Sequence, residues 1–324
     1  MKPLLICTAL LLAGCAPRLQ PSFNKDIQPS ATDFGPHGDF MEWWYVSGYL
    51  PEQKLAFHWA EFKVAPPEIP TDVFFSHIAV TDLNTGKVTF IEKNASPNPW
   101  TGKASFPPLK LRDGEWTFEQ VGNSYKLNAG PLALQFVPQK PPVIHPPGYS
   151  GVPELTGAMY YQSITRLGLS GTINNQPVQG VAWLDHQWGG MQAGKQARWD
   201  WMSVHMQGGD DLMLYRVTTM DGQPVQTFGS IVDKEGKARA ATNVSMTPGR
   251  TWTSATGRQY VLSWQVKADE FDLNVNAVND PQELLSYGTR VAYWEGPIQA
   301  QGTWQGQSAT GQGMMELVAG ALQR

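Results

Sequence analysis

The stretch Tyr161–Trp188, YQSITRLGLSGTINNQPVQGVAWLDHQW, decides the fold. Two apolar-rich runs flank Asn174-Asn175, a turn signal, and the second run alternates as a strand does. One of its faces carries Val181, Trp183 and Asp185; the other carries Val178, Ala182, Leu184 and His186. A strand that reads as buried therefore ends on an acid and a histidine pointing opposite ways. Each needs its own partner from elsewhere, and the pair either plugs a core or performs chemistry.

Runs of the same character fill the chain on both sides. WWYVSGYL, KLAFHWAEFKV and FFSHIAVTDL precede it; ARWDWMSVHM, DLMLYRVTTM, QYVLSWQV and FDLNVNAV follow. Turn signals such as Asn84-Thr85-Gly86, Asp113-Gly114 and Asp221-Gly222 separate them. The 32 glycines and 25 prolines disfavour long helices. Only PQELLSYG (281–288) reads as a helical turn, and QKPPVIHPPGYSGVP (139–153) reads as a long ordered loop. Many short strands at such spacing predict an all-β sandwich or up-and-down antiparallel barrel. The 324 residues suffice for two units, 33–190 and 195–324, with the boundary in HQWGGMQAGKQAR (186–198).

The first 32 residues are of another kind. Lys2 precedes LLICTALLLAGC, too short for the roughly 20 residues of a membrane span and laid out as an export signal. Leu12-Ala13-Gly14-Cys15 resembles a bacterial lipobox, which implies that 1–14 is removed and Cys15 lipidated. By resemblance to sorted lipoproteins, Ala16 in the next place implies the periplasmic side of the outer membrane, and 15–32, with Pro17, Pro21 and Pro29, reads as a tether. Cys7 would be lost and Cys15 acylated, leaving no thiol for a disulfide or a metal. A net charge of −4 argues against a nucleic-acid partner. The sequence has no P-loop, dinucleotide fingerprint, GxSxG elbow or HExxH, and no cofactor is expected.

Further acids sit in apolar surroundings. In RWDWMSVHM, Asp200 shares a face with Met202, Val204 and Met206, opposite Trp199, Trp201, Ser203 and His205. An unpaired charge there would cost several kcal/mol. Asp200 is thus either tied to Arg166, Arg198 or Arg216, or a site acid. Glu42 before Trp43-Trp44-Tyr45, and Glu295 after Trp294, read either as rim acids of aromatic packing or as alternative site acids. Thirteen tryptophans suit a large apolar ligand as well as a core. His37, His58, His77, His145, His186 and His205 show no ligand spacing, so no metal is expected.

MEWWYVSGYL, GYSGVPELTGAMYYQSITRLGLSG, VQGVAWLDHQWGG, RWDWMSVHMQGGDDLMLYRV, YWEGPIQAQG and GMMELVAG, in this order, resemble the AttH/CrtC family of bacterial secreted proteins, often described as secreted hydrolases and related to carotenoid 1,2-hydratases. The resemblance spans about 34–324 and implies two tandem lipocalin-like β-barrel units. It also implies acid-catalysed water addition to an isolated double bond, which needs a raised-pKa acid, aromatic faces for a cation and an apolar groove. Asp185, His186 and Trp188 fall in its Asp-His-x-Trp block and Asp200 in the next, while Val217 stands two residues after Tyr215 where the hydratases carry an acid. The expectation is a lipid-anchored protein binding an isoprenoid, carotenoid or fatty-acyl ligand in a groove lined by Trp44, Trp183, Trp188, Trp199 and Tyr215. Its rival is a hydratase or hydrolase with Asp185 or Asp200 as acid and His186 as orienter. Family habit adds an accessory role to an envelope transporter.

Overall fold

Alternating residues that bury both faces of a strand leave no face for solvent, and the chain resolves this by placing one core inside each of two curled sheets and a third between them. The computed structural model describes residues 19, 21–94, 102–191 and 197–322. The export signal, Cys15, the start of the tether and 192–196 in the expected boundary lie outside the described residues.

The first sheet comprises β1 (Met41–Leu50), β2 (Leu55–Val64), β3 (Val73–Asp82), β4 (Lys87–Asn94), β5 (Gly102–Ser105), β6 (Lys110–Asp113), β7 (Trp116–Val121), β8 (Ser124–Ala129), β9 (Leu132–Pro138), β10 (Val143–Val152), β11 (Gly157–Ile173) and β12 (Gln176–Gly189). The second comprises β13 (Arg198–Met206), β14 (Asp211–Thr218), β15 (Pro224–Val232), β16 (Ala238–Ala240), β17 (Ser245–Pro248), β20 (Ser263–Ala268), β21 (Phe271–Ala277), β22 (Glu283–Ser286), β23 (Val291–Trp304) and β24 (Gln307–Ala321). Strands β18 (Thr251–Thr253) and β19 (Gln259–Val261) pair separately. All pairings are antiparallel, and the two sheets curl into tandem lipocalin-like barrel units. In each, the first strand pairs with the last: β1 with β12, and β13 with β24.

Asn174 and Asn175 both take positive φ, 51° and 62°, the geometry of the two-residue turn that joins β11 to β12. The period-two reading then sorts the cores. Trp44, Val46 and Leu50 of β1 enter the first barrel with Val178, Ala182 and Leu184 of β12. Met202, Val204 and Met206 of β13 enter the second. The opposite faces, carrying Trp43, Tyr45, Trp183, Trp199, Trp201 and Tyr215, meet in the core between the sheets. Burial on both faces is why these strands read as continuous apolar runs.

Three expectations need correction. Residues 281–288 contain strand β22 rather than a helical turn, because Glu283–Ser286 pair with Val291–Trp294 of β23. The one short helix among the described residues is Pro153–Thr156. Within the expected loop at 139–153, Val143–Val152 is strand β10, paired on β11 across an irregularity between Ile144 and Tyr149. The tether is docked at its middle, where Phe23 packs on Tyr149 and Tyr160 and the Tyr160 hydroxyl donates to the Asn24 carbonyl at 2.8 Å.

Candidate functional site

Where the outer faces of the two sheets meet, they leave a chamber of about 260 Å³. Strands β1, β2, β3 and β12 supply one wall; β13, β14, β23 and β24 supply the other. Trp43, Phe62, Trp199, Trp201, Tyr215 and Tyr293 give it an aromatic surface. Three acids line it: Asp185, Glu295 and Glu316.

Strand register puts these acids together. Tyr45 lies opposite Asp185 across β1 and β12, and Glu295 lies opposite Glu316 across β23 and β24. Like charges directly opposite repel, so the second pair favours a retained proton. Burial raises Asp185 to about 7 and Glu316 to about 7, and pushes Glu295 well above the usual carboxylate range. In Glu295 the Glu316 charge acts in the same direction as burial.

The proton positions can be read from the partners. The Tyr45 hydroxyl donates to Glu295 Oε1 at 2.7 Å, while Glu295 Oε2 is buried with no hydrogen-bond partner among the described residues. A neutral Glu295 therefore carries its proton on Oε2. Asp185 differs: Trp183 Nε1 donates to its Oδ1 at 2.6 Å, and the Ser163 hydroxyl donates to the same oxygen. His145, on the strand expected to be a loop, contacts Ser163 Oγ through Nε2 at 2.7 Å and Ser230 Oγ through Nδ1. Burial holds His145 neutral, with its pKa down to about 3. Donors on Asp185 favour its charged form even as burial opposes it. Of the two, Asp185 is the better base and Glu295 the better acid.

Two histidines complete the wall. Burial and the nearby His77 lower His58 to about 3, and burial also lowers His77. His77 Nδ1 lies 3.0 Å from the Tyr293 hydroxyl, and His58 Nδ1 has no partner among the described residues.

The remaining predicted residues divide differently. His186 points away from Asp185, as the strand period requires, into the first barrel. There Glu42 Oε1 lies 2.8 Å from His186 Nε2 and 2.9 Å from His37 Nδ1, and Glu42 Oε2 accepts from Lys63 Nζ at 2.8 Å. Trp44 stacks on His186 and Trp188 on His37, so these two tryptophans belong here rather than to the groove expected of them. The hydrogen bonds from both histidines, with the charge of Lys63, outweigh burial and hold Glu42 down at about 2.

His37, Glu42 and His186 also form the one group among the described residues with the makings of a metal site, their ligand atoms lying within 4.8 Å of one another. Spacing along the chain gave no sign of it. Gln162 Nε2 donates to His186 Nδ1 at 3.1 Å, which leaves the ring proton on Nε2, facing Glu42. With that proton and the Lys63 ammonium already on the carboxylate, the donor set fits an internal ion pair better than a metal.

Asp200 is neither in the chamber nor beside His186. It faces the second barrel, where Arg216 Nε donates to it at 2.9 Å and the guanidinium sits over the Trp264 ring. Burial raises it to about 6 against the pull of Arg216. This is the structural alternative foreseen for it, with Arg216 as the partner. The chamber thus keeps Asp185, Glu295, Trp199 and Tyr215 from the sequence reading, with Trp183 behind Asp185. Glu316, His58, His77, Tyr45 and Tyr293 were missed, although each of the first three interrupts an apolar strand run (MMELV, AFHWA, FFSHIAV) as Asp185 does.

A family profile described as AttH-like matches residues 27–320. No protein with a curated description matches the sequence. A crystal structure from Nitrosomonas europaea, provisionally called AttH, is 30% identical with a TM-score of 0.78, covering 93% of this chain and 99% of its own. Kievitone hydratase from Nectria haematococca is 16% identical, with a TM-score of 0.66 over 94% of this chain and 97% of its own. CghA is 14% identical, with a TM-score of 0.53 over 88% and 89%. The last two likenesses reach the fold alone.

Proposed function

The chain belongs to the AttH-like family, and from that footing we propose that it takes an apolar, unsaturated small molecule into the chamber between its sheets and adds water across a double bond. One observation carries the reading: three carboxylic acids, all with raised pKa, line a single aromatic-walled chamber, and one of them presents an unpartnered buried oxygen.

The step balances as follows. Glu295 Oε2 gives its proton to one alkene carbon, and the positive charge develops on the other. A cation over an indole or phenol face gains roughly 0.5–2 kcal/mol according to its desolvation, and Trp199, Trp201 and Tyr215 offer such faces. Water bonds to the cationic carbon and loses a proton to Asp185. That proton returns to Glu295 through water or Glu316, restoring the starting state. No redox partner is required.

Isoprenoid olefins such as farnesol and lycopene, incubated with the protein in ¹⁸O-water and read by mass spectrometry, test this. The expected product is heavier by one labelled water. Retention of the olefin without product would instead support a second reading, carriage without turnover. That reading draws on Val217, fully buried and apolar where the hydratase resemblance calls for an acid. Neither product nor retention for any olefin would sink both.

The place of action is a proposal from sequence: lipid attached at Cys15 on the periplasmic side of the outer membrane. Metabolic labelling with an alkyne palmitate should mark the wild type and not Cys15→Ser. Equal labelling of both would remove the anchor.

A further inference from the structure

The chamber changes character along its length. At one end Tyr45, Asp185, Tyr215 and Glu295 are buried. At the other, Phe40, Met41, Phe62 and Phe75 are partly exposed, and the segment Gly288-Thr289-Arg290 closes the rim. The mouth is therefore greasy on the first sheet and carries a cation on the second.

Arg290 is the single lysine or arginine among the lining residues, and its side chain is exposed. Among the described residues no hydrogen bond or ion pair engages its guanidinium. The neighbouring acid, Glu92, is already occupied: the Gly288 N–H donates to its Oε1 at 2.9 Å, and Ser286 donates to its Oε2. The backbone at Arg290 is left-handed, with φ of 61°, a conformation that disfavours a long L side chain. Its carbonyl accepts from Leu322 N–H at 2.9 Å, which helps hold it there. A turn needing only that geometry is served best by Gly or Asn. Lys54 and Gln305 take the same conformation at turns away from the chamber; what sets Arg290 apart is that it stands unpaired at the rim of the cavity, where its guanidinium can meet what enters.

The strand that leaves Arg290 leads straight to the acid. Val291, Tyr293 and Glu295 of β23 all line the chamber, on alternate positions of one face. Five residues of strand span roughly 16 Å. We propose that the ligand is an amphiphile: a carboxylate or phosphate head held by the Arg290 guanidinium, and an apolar tail reaching roughly 16 Å inward to Glu295. Arginine suits both heads, because its planar fork pairs with two oxygens at once. The inference rests on the chamber being the ligand site, and it ranks anionic amphiphiles above neutral olefins, which enter the same chamber but gain nothing from the arginine.

Titration calorimetry with oleate, oleyl phosphate and methyl oleate, below their aggregation concentrations, tests it. Wild type should bind the two anions about tenfold more tightly than the ester. Arg290→Gln should bring the anions to the affinity of the ester and leave the ester unchanged, while Arg290→Lys keeps part of the preference. Met41→Trp, at the partly exposed mouth, should weaken all three and marks the chamber as the site. A preference confined to oleate or to oleyl phosphate supports the proposal and identifies the head. Equal binding of anion and ester in wild type, or an anion preference that survives Arg290→Gln, overturns it; if Met41→Trp still weakens the ester, the chamber reading stands. Binding of no probe overturns both.

Discussion

Replacing Glu295 by Gln is expected to lower water addition by about 10²-fold or more, while ligand affinity changes little. The size is that of a positioned general acid, typically 10²–10⁴-fold. The amide keeps an oxygen to accept from Tyr45 but has no acidic proton at the position of Oε2, the atom left without a protein partner. Tyr45→Phe should cost less, because it frees the proton to sit on either oxygen without removing it. Asp200→Asn should leave turnover unchanged, since Asp200 is spent on Arg216 inside the second barrel. A rate loss for Asp200→Asn equal to that of Glu295→Gln would remove the assignment.

The pH dependence follows from the same pair. Asp185, raised to about 7, must be ionised to take a proton from water, so the rate should climb as pH rises through about 7. Asp185→Asn should abolish that limb. Stability runs the other way. An acid whose folded pKa lies above its unfolded value binds its proton more tightly when folded, so its contribution is full below about pH 4 and lost as pH rises through about 7. His58, His77 and His145, lowered by burial, act with the opposite sign below about pH 6.5, so the two acids are read by difference: the melting temperature of wild type should fall between pH 5 and 8 relative to that of Asp185→Asn with Glu316→Gln. A difference between wild type and that double variant that does not change across the range would contradict the protonation assigned to them.

Much of this was legible in the strand period. The opposite facing of Asp185 and His186 follows from adjacency on β12 alone, and so does the split of β13 into Trp199/Trp201 and Met202/Val204/Met206 faces. The joining of the two sheets was not legible, because local alternation says which residues share a face but not which faces meet. Glu42 and Glu295 look alike as acids beside tryptophans, yet one enters the first barrel and the other the chamber. The same ignorance led Trp44 and Trp188 to be grouped with Trp199. β10 escaped notice for a local reason: Pro146 and Pro147 sit inside it, and proline lacks the N–H a ladder needs. The strand survives by breaking register between Ile144 and Tyr149, and in doing so it carries His145 to Ser163.

Glu42→Gln is expected to cost about 3–5 kcal/mol, the range for removing one partner from a buried ion pair. Glu42 is fully buried and its carboxylate receives Lys63, itself 2% exposed, together with both rings and the His37 N–H. Neutralising it leaves the buried Lys63 ammonium without the carboxylate charge that faced it, with the His37 carbonyl and at most a neutral amide oxygen to accept from it. For a chain of this size each kcal/mol shifts melting by about 2–4 °C, so a drop of roughly 6–20 °C should appear. Adding Lys63→Met should recover a large part of the loss, because a buried pair replaced as a whole by uncharged groups is often close to neutral. The pair also separates an internal ion pair from a metal centre. In an ion pair, chelators leave the wild-type melting temperature alone and the double variant melts well above Glu42→Gln. In a metal centre, chelation lowers wild type to the level of Glu42→Gln, and Lys63→Met restores nothing. The second pattern would move His37, Glu42 and His186 from the framework of the barrel to its chemistry.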